Sequence, residues 1–131
     1  MPYRPLIPLR IPAGWEVRFN NFVELGAPGA LGPEDRDAYL SQDVLAFRST
    51  APAGPSEGYA LDVGWSADGD PTGEYRLTVF GPGAESAAIR LTSASPEVIR
   101  DAVAVCLNRL NEGASPETIQ GLLDGATRNL S

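Results

Sequence analysis

The chain contains no histidine and no lysine; all ten of its cations are arginine. Without imidazole it lacks the usual general base near neutral pH and the commonest metal ligand. Without a primary side-chain amine it has no Schiff-base or lysine-nucleophile chemistry. Its single cysteine, Cys106, cannot close an internal disulfide, and it falls in an apolar stretch of helical period, where a thiol reads as a small buried hydrophobe. No apolar run approaches membrane-spanning length. The opening Met-Pro-Tyr-Arg-Pro-Leu-Ile-Pro-Leu-Arg is too proline-broken for the apolar core of a signal peptide, so the cytoplasm is the expected compartment.

What is present fits one soluble domain. There are 131 residues, 43% of them hydrophobic and 21% charged, enough for a sizeable core. The net charge of −7 opposes nucleic-acid binding, which needs cations to neutralise phosphates, and suits a basic protein partner.

Periodicity sets the expected fold class: α+β, with an antiparallel meander of about four to five strands packed on one face by C-terminal helices. Residues 1–14 hold four prolines and read as an extended arm. Trp15, Val17 and Phe19 then alternate with Glu16 and Arg18, the period of a half-buried strand, with a bend or bulge expected at Asn20-Asn21. Pro33-Glu34-Asp35 opens a short helix ending near Leu40 or Ser41. Val44 to Phe47 reads as a strand, with helical continuation from Tyr39 as the alternative.

A long hairpin follows. Tyr59, Leu61, Val63 and Trp65 face one way, and Tyr75, Leu77 and Val79 match them across an acidic, glycine-rich turn. Ala87, Ile89 and Leu91 continue the alternation. Ser95-Pro96-Glu97 and Ser115-Pro116-Glu117 are two helix starts, each with an N-cap, a first-turn proline and a dipole-matched carboxylate. The first leads a long apolar stripe from Val98 to Leu110. The second leads a shorter one through Ile119, Leu122 and Leu123, which either docks beside the first or projects toward a partner.

Chemistry-bearing patterns are sparse. Asp68, Asp70, Thr72, Gly73 and Glu74 match the start of a calcium loop, but its twelfth position is Val79 instead of glutamate, and strands flank it. A hairpin turn with solvated carboxylates is the better reading. Asp62 faces away from Leu61 and Val63, where Arg76 or Arg90 could pair with it. No serine has an activating base, and nucleophile-elbow and Walker motifs are absent. No metal, cofactor or catalytic set is expected.

The blocks Ile-Pro-Ala-Gly-Trp (11–15), Asn20 to Glu24, Gln-Asp-Val-Leu (42–45), Leu-Asp-Val-Gly-Trp (61–65) and Gly-Asp-Pro-Thr-Gly-Glu-Tyr-Arg-Leu (69–77) carry a resemblance. Over roughly residues 7–110 the chain resembles a family of small, mostly uncharacterised bacterial proteins, some of which look like immunity proteins of polymorphic toxin systems. The last helix lies outside that pattern. The resemblance implies protein–protein inhibition and supplies no active-site residues.

The expectation is therefore a non-enzymatic module meeting a basic toxin domain through loops 26–32, 50–58 and 66–74, with Trp65, Asp68, Asp70, Glu74 and Glu57 as partner-binding residues. Two alternatives stand beside it. One is a ligand-binding or carboxylate-dependent enzymatic domain, with a pocket between sheet and helix lined by Trp15, Trp65 and Tyr75. The other is a homodimer through a strand edge or the last helix.

Overall fold

The computed structural model describes residues 5–25, 31–50, 54–66, 69–83 and 87–130, the last five by backbone only. Asp68, residues 26–30 and 51–53, and the end of the turn after Gly83 lie outside the described residues. Five strands, β1 (Trp15–Asn20), β2 (Leu45–Ser49), β3 (Ala60–Ser66), β4 (Glu74–Phe80) and β5 (Ala87–Ser93), form one antiparallel sheet in sequential order. This is the expected meander. Because strand side chains alternate, Leu61, Val63, Trp65, Tyr75, Leu77, Val79 and Ile89 all reach the same buried face, while Asp62, Arg76 and Arg90 point away.

Two helices cover that face. In α2 (Pro96–Asn111) the Ser95 hydroxyl accepts the Val98 amide at 3.3 Å, and Ile99, Ala102, Val103, Cys106, Leu107 and Leu110 are buried. Gly113 ends it with φ +86, a left-handed conformation that favours glycine. In α3 (Pro116–Leu130) the Ser115 hydroxyl accepts the Thr118 amide at 3.2 Å. Ile119 and Leu123 are buried, so this helix docks on the domain.

The docked α3 also caps the β5 edge at Arg90. Gln120 accepts the Arg90 amide at 2.8 Å and donates to the Arg90 carbonyl at 2.8 Å, as a neighbouring strand would. An open edge invites pairing with another chain. Gln120→Ala is expected to cost about 1–2 kcal/mol and to promote aggregation, read by denaturant melts and light scattering. Unchanged stability and solubility would contradict this role.

From Pro5 onward the proline-rich arm lies against the domain and gives Ile7 to the core. Its prolines prevent a regular ladder, yet Ile7 donates to Phe22 at 2.8 Å and Glu24 to Pro5 at 3.0 Å, and Ile7 is buried. The last residue of α2 fastens the far end. Asn111 accepts the Trp15 indole N–H at 3.0 Å and donates to the Ala13 carbonyl at 3.0 Å.

β1 departs from the alternation expected of it. Trp15 is buried, but Val17 is 42% exposed and Phe19 46%. The register of β1 on β2 slips between Val17 and Phe19, which places Phe19 opposite Ala46, on the Asp62 face. A bulge thus sits two residues before the asparagines. The strand then ends at Asn20, whose side chain accepts the Phe22 amide at 3.0 Å.

Candidate functional site

The candidate surface lies at the sheet end that holds the β3–β4 turn. Asp70 shapes that turn: its carboxylate accepts the Thr72 amide at 2.9 Å and the Thr72 hydroxyl at 2.7 Å. Those bonds hold the Asp70 pKa below its ordinary value, with the nearby Arg36 as a lesser cause. The Asp70 carbonyl takes the Trp65 indole N–H at 2.7 Å. Gly73 approaches so closely that any Cβ there would overlap the Ser66 carbonyl.

Helix α1 (Pro33–Tyr39) packs against this turn. The Gly69 amide donates to the Leu40 carbonyl at 2.6 Å, and the Asp37 carboxylate approaches Gly69. Arg36 is anchored by its Nε–H to the Leu31 carbonyl at 3.0 Å. The two segments therefore bring Glu34, Asp35, Asp37, Asp43, Asp70 and Glu74 to one end, against Arg36, with Arg76 set back on the open sheet face.

The same crowding reaches the sheet. Asp62 sits opposite Ala46 and Thr78, and among the described residues no ion pair joins it to Arg76 or Arg90. Burial, and secondly the charge of Asp43, raise its pKa. For an acid whose folded pKa is raised, the native state holds the proton longer than the unfolded chain. Stability therefore falls as pH climbs through the carboxylate range from about 3.8, and the loss persists above it. Asp62→Asn is expected to raise Tm at pH 7 and leave it unchanged at pH 3; a lower Tm at pH 7 would contradict the sign.

The structure redistributes the residues named from sequence. Asp70 and Glu74 share the acidic end, and Asp68 lies outside the described residues. Glu57 is exposed in the β2–β3 connection, at the opposite end of the sheet. Trp65 must be corrected: it is 1% exposed, edge-on to Tyr75 at 4.8 Å, and has no surface to offer a partner. Its place on the inward side of a central strand, with the turn folded back over its N–H, is the reason. The sequence reading missed Glu34, Asp35, Asp37 and Asp43. Their density beside one arginine is visible in the chain, but their neighbour, the 69–74 turn, is set by packing.

No family model, curated protein or solved structure matches the chain. Among the described residues no three His, Cys, Asp or Glu side chains gather as a metal-holding group, and no helix is long and apolar enough to cross a membrane. Burial pushes the Cys106 thiol up to about 12, which leaves no thiolate for nucleophilic attack. Of the residues expected to line a pocket between sheet and helix, Trp15 and Trp65 are buried in the core, and Tyr75 alone lines a cavity. A cavity of about 390 Å³ opens elsewhere, between the arm and the start of α2.

Proposed function

We propose that the chain is a non-enzymatic protein-binding module, an immunity-type inhibitor that meets a basic bacterial toxin domain with its α1/β3–β4 turn end. The observation that carries this reading is the packing of one carboxylate-rich segment against another. Like charges held together weaken a fold, and an arginine in place of Asp37 or Asp43 would relieve them. A cationic partner supplies that relief on binding and is steered toward the surface beforehand. The backbone bond from Gly69 to Leu40 and the indole bond from Trp65 to the Asp70 carbonyl fix the surface in advance, which keeps the ordering cost of association low.

The reading expects a toxin gene among the neighbouring reading frames, and the test is co-expression with its product. Wild-type chain is expected to restore growth, and a folded Glu34→Arg/Asp37→Arg variant to lose protection. Full protection by that variant, or failure of the wild type to bind the toxin, contradicts the reading.

A further inference from the structure

The cavity between the arm and α2 has the make-up of a ligand site. Ile7 and Leu25 give it apolar walls; Glu24, Glu97, Arg100 and Tyr75 give it polar ones. Its volume of about 390 Å³ falls in the range of small-ligand pockets. Tyr75 is the informative member. It is 3% exposed, and its ring is wedged edge-on between Phe22 at 5.4 Å and Trp65 at 4.8 Å, so the phenol cannot swing out to solvent. Among the described residues nothing hydrogen-bonds its hydroxyl. Buried hydroxyls almost always have a partner, because leaving one unpaired is costly. Burial and the nearby Glu97 charge push its pKa up to about 12, so it stays a neutral phenol.

The remaining groups define what would fit. Arg100 lines the cavity, but its Nε–H meets Asp101, which does not, at 3.0 Å, so the two carboxylates of Glu24 and Glu97 outweigh a guanidinium that is already paired. An anion at the α2 N-terminus is disfavoured: Pro96 has no N–H, Ser95 already takes the Val98 amide, and Glu97 already supplies negative charge. We propose that this cavity binds an ammonium or guanidinium group on an aliphatic stem, held between Glu24 and Glu97 with the Tyr75 hydroxyl as a third partner. The stem packs on Ile7 and Leu25. The site shares no residue with the acidic end, so either assignment can fail without the other.

The test is titration of the full chain with agmatine and with cadaverine, followed by amide NMR shifts, with pentanol and valerate as uncharged and anionic controls. Saturable binding of the cations alone is expected, weakened roughly tenfold or more by Glu97→Gln or Glu24→Gln. Tyr75→Phe is expected to raise Tm of the free protein, by removing an unpaired hydroxyl, while weakening cation binding. A merely structural tyrosine would not give those opposite signs. A blocked Ala-Arg-Ala peptide identifies the source. Affinity equal to agmatine assigns the site to a basic side chain of a protein, and affinity tenfold lower assigns it to a free amine. No saturable cation binding, equal response to pentanol or valerate, or a lower Tm for Tyr75→Phe overturns the proposal.

Discussion

Gly64→Ala is expected to destabilise the domain by roughly 3 kcal/mol, the upper end of what overpacking usually costs. Gly64 is an ordinary extended residue in β3, so strain is not the cause. The cause is the segment before β2, which lies across it. Val44 donates to Val63 at 2.8 Å, and Trp65 donates to Ser41 at 2.8 Å, one bond on each side of the glycine. Those bonds press the Gln42 backbone onto Gly64, and any Cβ would overlap the Gln42 carbonyl. Backbone clamped at both ends cannot step aside as a flexible side chain would. Gly32→Ala is the comparison for open space, since a Cβ there meets nothing within 4 Å, and it should cost only the fraction of a kcal/mol by which alanine is the poorer N-cap, about 0.5 kcal/mol. Urea melts of both variants decide the matter: a Gly64→Ala loss below about 0.5 kcal/mol would show that the 40–44 segment is not held as described.

Trp65→Ala should cost about 4 kcal/mol, within the range for removing a buried large aromatic. Three losses combine. The largest is the cavity left where a side chain only 1% exposed had been. The second is the edge-on ring contact with Tyr75. The third is the indole bond that ties the Asp70 carbonyl to the sheet. Trp65→Phe keeps most of the volume but loses the bond, so it should fall between wild type and alanine and loosen the turn at Asp70. A cost below 1 kcal/mol for the alanine variant would return Trp65 to the surface role first expected of it.

The two residues show what the chain discloses and what it hides. The period-two runs from Tyr59 to Ser66 and from Glu74 to Phe80, and the two Ser-Pro-Glu starts, are local signals. Each was legible because residues a few positions apart decide it. That the inner face of β3 would be covered was legible too, and it already implied a buried Trp65. The remaining features are long-range. The bulge that turns Phe19 outward depends on register with β2. The strand-like bonding of Gln120 to Arg90 spans thirty residues. The juxtaposition of Asp37 with the 69–74 turn, and the Tyr75 hydroxyl beside Glu97 with no partner among the described residues, depend on how α1, the arm and α2 settle around the sheet. Side-chain type alone cannot place such groups, because the same carboxylates would serve equally well on a solvated helix.

If a rigid, like-charged surface is what this chain presents to its partner, relieving the charge should trade binding for stability. The direct measurement is Tm at low salt together with toxin affinity, on one preparation of the Asp37→Arg/Asp43→Arg variant and of the wild type. The account predicts a variant that melts at a higher temperature and binds at least tenfold more weakly, with most of the loss in the association rate. A variant that binds the toxin as well as the wild type would contradict it, whatever its Tm.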